Sequence, residues 1–289
     1  MIARSERRSP GVVPGRDGLE WVASLCLDDA DWLMVHERAG EPFVSVGRVA
    51  GGYLVRSHGL ADFFVAEDGS NVRVAPLEGV DRREVEDAFE QQVLPGIHQL
   101  AGCPALHASA VACEEGIVCF TGPSQAGKST LAALLSREGA GTTTRWKLVS
   151  DDHLPLIVSG EHVLACPSSN WVRLREASVD GIRESGTWRG GKVAVDRPHE
   201  AEPKRLLRVY VLGAPAEQVT VTPISKRDGA LTVAGQLFRL DHTSPLLLTS
   251  ELDFVEAVSA RVPTRSLRYP RDFGGIASVE RGILDDLAS

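Results

Sequence analysis

The stretch that decides the fold runs from position 117 to 135 and reads IVCFTGPSQAGKSTLAALL. Its first four residues are continuously apolar, which is typical of a strand buried on both faces of a sheet. The leucines of LAALL at 131–135 fall on one face of a helix. Between these segments, GPSQAGKS at 122–129 matches G-x-x-x-x-G-K-[ST], the pattern of a phosphate-binding loop between a strand and a helix. The stretch therefore predicts an α/β core built around this loop.

Each residue type in the loop suits phosphate chemistry. Gly122 and Gly127 permit backbone angles and a close approach that a side chain would block. The helix that follows adds its positive dipole end, Lys128 can reach the β- and γ-phosphates, and the Ser129 hydroxyl can ligate magnesium. These residue types predict that the loop holds the phosphates of a nucleotide.

A second candidate site is VSDD at 149–152, where two adjacent carboxylates end a short apolar run. One carboxylate of such a pair can hold a metal ion while the other orients or deprotonates an acceptor. Repulsion between the two would raise one pKa, which suits a base. The pair follows Lys128 after one helix and one return to the sheet, and this position distinguishes it from an ordinary solvated turn.

The rest of the chain predicts three parts. Residues 1–18 are rich in Arg, Ser, Gly and Pro and predict a disordered lead. Residues 19–92 predict a small β-rich subdomain, which ends in a linking helix that starts near Asp81 and runs to the region of Pro95. Residues 93–289 predict the nucleotide-binding catalytic domain, an α/β fold with a mixed sheet. Its further strands are expected at 106–113, 147–150, 154–158, 206–212 and 219–224, and its last helices near 250–260 and 275–287.

Composition limits the possible partners and locations. Hydrophobic residues make up 43% of the chain and charged residues 24%, as in ordinary globular proteins. No apolar run is long enough for a membrane span and no signal peptide is recognised, so we expect a cytoplasmic protein without a membrane partner. The net charge of −8 disfavours nucleic acid as a partner. Five cysteines without a C-x-x-C pair disfavour both a disulfide framework and a zinc site. A homo-oligomer is compatible with these features.

Three segments together resemble a known family: LHASAV at 106–111, GPSQAGKST at 122–130 and VSDDHLPL at 149–156. They are similar to the core of the HPr kinase/phosphorylase superfamily, whose nucleotide fold is related to phosphoenolpyruvate carboxykinase. The likeness is closest to the HPr-kinase-like peptide serine kinases of lasso-peptide biosynthesis. YLVRSHGLADFFVAEDG at 53–69 and VPTRSLRYPRDF at 262–273 resemble the two ends of that subgroup.

The resemblance implies a role for individual residues. Nine consecutive residues would hold the nucleotide: Gly122, Pro123, Ser124, Gln125, Ala126, Gly127, Lys128, Ser129 and Thr130. Asp151 would be the base for the acceptor hydroxyl, His107 would lie near the transferred phosphate, and Lys128 would complete the catalytic set. Asp152 would hold magnesium together with Ser129. WVRLREASVDGI at 171–182 departs from the family's LEIRGLGI signature, and Glu176 is the only counterpart of its magnesium-binding glutamate. GTTTRWK at 141–147 lengthens the path to the next strand, and a surface extension is the favoured interpretation.

The sequence therefore predicts a phosphotransferase that uses ATP and Mg²⁺ and acts on an alcohol group. The expected acceptor is a serine of a precursor peptide or small protein. Two alternatives stay open, a small-molecule kinase acting on a free amino acid and a non-catalytic nucleotide-dependent switch. Near the C terminus, Arg265, Arg268 and Arg271 alternate with apolar residues, and this pattern favours charges on an exposed face.

Overall fold

The computed structural model describes residues 13–27, 29–138, 141–182, 184–189 and 191–289. Most of the predicted lead, residues 1–12, lies outside this part of the chain. The remainder of the lead contains a short 3-10 helix at Arg16–Gly18. The chain divides into two compact units, Met1–Ala105 with Phe238–Glu251 and Leu106–Leu237 with Leu252–Ser289.

The first unit is a six-stranded sheet with helices after it. Its strands are β1 (Leu19–Trp21), β2 (Asp31–Arg38), β3 (Glu41–Val49), β4 (Gly52–Ser57), β5 (Ala61–Ala66) and β6 (Val72–Pro76). They lie in the order β1-β6-β5-β4-β3-β2, with β1 parallel to β6 and the other pairs antiparallel. Phe63 and Phe89 are fully buried in its core with ring centroids 6.3 Å apart. The predicted β-rich character of this part is confirmed.

The helical segment of the first unit is longer than predicted. Asp81 accepts a hydrogen bond from the backbone N–H of Arg83 and so caps α1 (Arg82–Ala88). A π-helical turn (Phe89–Val93) and α2 (Leu94–Leu100) follow. Pro95 does not end the helix, because it lies in the first turn of α2. A proline there costs no hydrogen bond, since the N–H groups of the first turn have no acceptor within the helix. The α2 helix belongs to the first unit, although the sequence assigned residues from 93 onward to the catalytic domain.

The second unit contains the mixed sheet. Its strands are β7 (Ala105–Leu106), β8 (Ser109–Ala112), β9 (Ile117–Thr121), β10 (Lys147–Ser150), β11 (Leu154–Ser159), β12 (His162–Ala165), β16 (Lys204–Leu212), β17 (Thr220–Pro223) and β18 (Thr264–Arg268). The main order is β10-β8-β9-β16-β12-β11-β7, and β18 joins β16 to β17. The sheet is mixed because β16 runs parallel to β9 and β18, whereas β10–β8, β8–β9, β11–β12, β12–β16 and β17–β18 are antiparallel pairs.

A smaller sheet and five helices complete the chain. The three-stranded sheet has the order β13-β15-β14, with β13 at Trp171–Leu174, β14 at Thr187–Arg189 and β15 at Lys192–Asp196. The helices are α3 (Lys128–Leu135), α4 (Glu176–Ile182), α5 (Lys226–Gly235), α6 (Pro245–Arg261) and α7 (Ile276–Leu287). Among the described residues, no helix has both the length and the apolar character that a membrane span requires.

The core of the second unit fixes the loop between β9 and α3. Phe120 of β9 stacks on Tyr210 of β16, with ring centroids 6.1 Å apart, and both side chains are fully buried. Leu131 and Leu135 of α3 are buried in the same cluster. The predicted fold class is confirmed: an α/β mixed-sheet core contains the phosphate-binding loop, and a β-rich part precedes it along the chain.

Candidate phosphate-binding and catalytic site

The loop between β9 and α3 has the backbone that its glycines allow. Gly122 has φ of 137° and Gly127 has φ of 89°, a region that L side chains rarely adopt. A Cβ atom at Gly127 would lie 3.2 Å from Nη1 of Arg271, so a side chain at this position would also press on that guanidinium group. Gly127 directly precedes Lys128, the first residue of α3. The loop thus ends at a helix N-terminus, where backbone N–H groups and the helix dipole favour an anion.

Lys128 is buried against the loop that precedes it. Its Nζ donates hydrogen bonds to the carbonyl oxygens of Gly122 at 3.0 Å and Pro123 at 3.3 Å. Burial lowers the pKa of Lys128, and the nearby charges of Asp152 and Asp151 oppose that change. The ammonium group is therefore held at the loop by two backbone carbonyl groups.

Asp151 follows β10 and is buried. Its Oδ1 accepts a hydrogen bond from Ser109 Oγ at 3.1 Å, and its Oδ2 accepts one from the backbone N–H of Arg173 at 2.7 Å. Ser129, in the first turn of α3, also hydrogen-bonds to this carboxylate. Burial raises the pKa of Asp151, and the charge of Asp152 raises it further. Asp151 is thus the carboxyl group of the pair that more readily takes up a proton.

Asp152 contacts the side chains of Arg173 and His107. Its Oδ2 pairs with the Arg173 guanidinium, and its Oδ1 lies 3.6 Å from Nε2 of His107. Burial favours a higher pKa for Asp152, but the hydrogen bond from His107 and the charges of Arg173 and Lys192 outweigh it and lower the pKa. Asp152 is therefore the carboxyl group of the pair that is held more firmly in its anionic form, and the two adjacent carboxyl groups are electrostatically distinct.

The structure thus brings the predicted residues together in two sets. Lys128, Ser129 and Asp151 form one set at the start of α3, and His107 with Asp152 forms the other. The sequence paired Ser129 with Asp152 as magnesium ligands, whereas the side-chain contact of Ser129 is with Asp151. Glu176 begins α4 with an exposed side chain.

Several contributors to the site were missed from the sequence. Ser109 and Arg173 lie on β8 and β13 and contact the Asp pair, and Lys192 on β15 acts on it by charge. A signal existed for Arg173, which is a charged residue in the apolar strand WVRL and is 8% exposed. Arg271 was predicted on an exposed face, but its guanidinium packs 4.1 Å from the centre of the Tyr269 ring and donates to the Gly213 carbonyl at 2.9 Å. That interpretation of Arg271 is wrong because the segment after β18 folds back against the loop.

The oxygen donors present fit magnesium bound with a nucleotide. Within the described ranges, no group of three or more His, Cys, Asp or Glu side chains could hold a metal ion without other ligands. Mg²⁺ typically needs only one or two protein carboxylates when phosphate oxygens and waters complete its shell. The Ser129 hydroxyl and the two Asp carboxylates are donors of this kind.

The comparisons with known proteins found similarity to solved structures. No family model and no curated protein sequence match the chain. A solved structure of the Hpr(Ser) kinase/phosphatase from Coxiella burnetii is similar to it, with 14% identity, coverage of 63% of this chain and 95% of that chain, and a TM-score of 0.35. The function is therefore inferred from the geometry of this chain's own residues.

Proposed function

We propose that this protein is an ATP-dependent kinase that transfers the γ-phosphoryl group to a hydroxyl group, with a serine of a peptide or small protein as the acceptor. The observation that carries the proposal is the position of Asp151, a buried carboxyl group with a raised pKa, next to the start of the helix that follows a phosphate-binding loop. A base whose pKa lies nearer to neutral is suited to accept a proton from an alcohol.

The residues divide the work of the transfer. The loop amides and the N-terminus of α3 hold the phosphates, and Lys128 exchanges its bonds with the loop carbonyls for bonds with phosphate oxygens. The acceptor oxygen forms a bond to the γ-phosphorus, the bond from that phosphorus to the bridging oxygen breaks, and ADP leaves with the electron pair. Asp151 takes the hydroxyl proton.

The second carboxylate and the cations around it support the charge of the reaction. Asp152 stays ionised and orients His107 and Arg173. Magnesium, held by the phosphates together with Ser129 and a carboxylate of the pair, would neutralise charge on the transferred group. Preorganised cations of this kind stabilise the transition state most when water is excluded.

The choice of a peptide acceptor is supported by the sequence segments 53–69 and 262–273, which resemble the ends of peptide serine kinases. The test incubates the full chain with Mg²⁺ and γ-labelled ATP in the presence of a serine-containing peptide or of free serine. We expect label on the peptide, with a larger kcat/KM than for free serine. Lys128→Ala is the control, and we expect it to lose ATP binding because the ammonium group meets phosphate charge.

Each other outcome of this experiment contradicts the proposal in a different way. Faster labelling of free serine would identify a small-molecule kinase. Release of inorganic phosphate without any labelled acceptor, and only when a partner protein is added, would identify a nucleotide-dependent switch. Full ATP binding by the Lys128→Ala variant would show that the loop does not hold the nucleotide.

A further inference from the structure

The three-stranded sheet β13-β15-β14 has an inward face and a charged face. Val172 and Leu174 of β13 are buried in the core of the second unit. Because successive side chains of a strand point to opposite faces, Arg173 between them lies on the other face. Arg173 pairs with Asp152 there, and β13 contacts α3 and β10. The charged face therefore begins beside the candidate site.

Two further cations share this face on the next two strands. Ala194 of β15 lies opposite Arg173, and Lys192 precedes it by two residues, so both point to the charged face. Arg189 of β14 lies directly opposite Lys192. The Trp171 ring supports this placement, because the guanidinium groups of Arg173 and Arg189 lie 5.9 and 5.5 Å from its centre. Three cations thus share one face of a small sheet.

These cations differ in how they are neutralised. Arg173 is paired with Asp152. Lys192 is half-buried, and no hydrogen bond or ion pair joins its side chain to another residue of the described ranges. Asp196 shares the face but lies four residues from Lys192, which is about 13 Å along a strand. Like charges directly opposite each other on paired strands destabilise a sheet, so Lys192 beside Arg189 favours an anionic ligand.

The charge of Lys192 also acts on the candidate site. Burial is the main cause of the lowered pKa of Lys128, and the charge of Lys192 lowers that pKa further. For Asp152, burial favours a higher pKa, and the charge of Lys192 is among the effects that lower it. An anion held by Lys192 would therefore lie close to the groups that react in the proposed transfer.

The spacing of the strands fits a group on the acceptor. Neighbouring strands lie about 4.8 Å apart, so the backbone of Arg189 lies about 10 Å from β13. An extended peptide advances about 3.5 Å per residue, so a carboxylate within about three residues of an acceptor serine covers this distance. The phosphates of the nucleotide already have the loop amides, the N-terminus of α3 and Lys128. The second and third strands of the sheet are thus placed for the acceptor.

We propose that Lys192 and Arg189 bind a carboxylate of the acceptor, so that the protein selects a serine with a carboxylate within about three residues. The inference rests on the proposed function and deepens it, because it names the charge of the acceptor. A guanidinium group pairs with both oxygens of a carboxylate, and an ammonium group adds a point charge. The carboxylate is an Asp or Glu side chain or a free C-terminal carboxylate, and these two sources share the same chemistry.

The test compares three serine peptides as acceptors of the full chain, with Mg²⁺ and γ-labelled ATP. The first peptide is neutral with both ends blocked, the second carries Asp beside the serine, and the third is the neutral peptide with a free C-terminal carboxylate next to the serine. We expect kcat/KM of the parent protein to be at least about tenfold larger for a carboxylate-bearing peptide than for the neutral one. The faster of the two identifies the source of the carboxylate.

Lys192→Gln removes the ammonium group. We expect the preference for the carboxylate-bearing peptide to fall about tenfold, the usual effect of losing one hydrogen bond to a charged group, while the neutral peptide keeps the parent kcat/KM. Lys192→Arg should keep most of the preference, and Arg189→Gln should reduce it. Lys226→Gln, the same change at an exposed residue that begins α5, is the control and should keep the preference. Unchanged ATP binding shows that each variant is folded.

Two results would overturn the inference and leave the proposed function standing. One is an equal kcat/KM for the three peptides in the parent protein. The other is a loss in Lys192→Gln that is equal for all three peptides while ATP binding is intact, because it would place Lys192 on the transferred phosphoryl group. If the parent protein labels no peptide, the proposed function itself is refuted, and this inference with it.

Discussion

The two sides of the phosphate-binding loop differ in the charged groups that they carry and in what those groups contact. On the carboxylate side, Asp151, Asp152 and Arg173 are packed together, and the charge of Arg173 lowers the pKa of both carboxyl groups. On the side of the segment after β18, the Arg271 guanidinium packs on the Tyr269 ring and donates to the Gly213 carbonyl. The comparison shows that the carboxyl groups with shifted pKa values lie with the start of α3, whereas Arg271 contacts an aromatic ring and a backbone carbonyl. Substitutions on the two sides should therefore change different kinetic constants.

Asp151→Asn should give the largest effect and should affect only the carboxylate side. An amide keeps the shape of the side chain but cannot accept the hydroxyl proton, so we expect transfer to fall by roughly 10²- to 10⁴-fold. ATP affinity should stay close to that of the parent. Single-turnover transfer and equilibrium ATP binding measure the two quantities. A loss of affinity as large as the loss of rate would show that Asp151 holds the nucleotide rather than the proton.

Asp152→Asn separates the two members of the carboxylate pair. Asp152 keeps its negative charge, and Asp152→Asn removes that charge. We therefore expect the magnesium concentration needed for half-maximal activity to rise by at least about tenfold, because even the loss of a hydrogen-bond partner of a metal ligand weakens metal binding by about this factor. A magnesium titration of both Asn variants makes the comparison. If Asp151→Asn raises the magnesium requirement instead, Ser129 and Asp151, which are in contact, are the magnesium ligands. Asp152 would then be the base.

The rate of transfer should depend on pH through Asp151. A base with a raised pKa loses activity as the pH falls through that value, so the midpoint should lie above about 3.9, the ordinary value for Asp. Arg173→Gln removes a positive charge that lowers the pKa of Asp151, and the midpoint should move to higher pH. The pH profile of kcat measures this shift. Arg175→Gln, an exposed neighbour on the same segment, is the control and should leave the midpoint in place.

The Asp151 carboxyl group should also lower the stability of the fold near neutral pH. A carboxyl group whose folded pKa is raised stabilises the fold while it is protonated, and this contribution is lost as the pH rises above the unfolded pKa. We therefore expect Asp151→Asn to raise the melting temperature by a few degrees near neutral pH and by less near pH 4. Thermal melts at both pH values test this. An equal or larger gain near pH 4 would contradict the assignment of a raised pKa.

Glu280→Gln should have the smallest effect on activity and should leave both sides of the loop unchanged. Glu280 on α7 is buried and accepts hydrogen bonds from the backbone N–H groups of Thr143 and Thr144 and from Trp146 Nε1, at 2.7, 2.8 and 3.0 Å. An amide oxygen cannot replace both carboxylate oxygens, so we expect a loss of about 1–3 kcal/mol in the free energy of unfolding. Denaturant melts measure it. A change in the KM for ATP would show that this anchor acts on the site.

The loop and the fold class could be predicted because their determinants are local. Gly122 and Gly127 adopt positive φ angles, which glycine itself makes accessible. The apolar residues before the loop are enough to predict that this strand is buried. Ser109, Arg173 and Arg271 could not be placed because strand pairing and the return of the chain after β18 bring them to the site. The same applies to GTTTRWK at 141–147, which the sequence shows only as an extension and which Glu280 anchors from the last helix.

The backbone of Asp152 limits which residues can replace it. Its φ of 77° lies in the left-handed region, which costs most L residues roughly 1–2 kcal/mol and which Asn and Gly accept more easily. A mutational scan at this position therefore reads two quantities. Asn and Gly at position 152 remove only the negative charge. Val and Ile remove the charge and also add the cost of a positive φ. Glu keeps the negative charge but adopts a positive φ less easily than Asp, so Asp152→Glu separates the effect of the backbone from the effect of the charge. A large loss of stability in this variant would show that the backbone at position 152 is held rigidly.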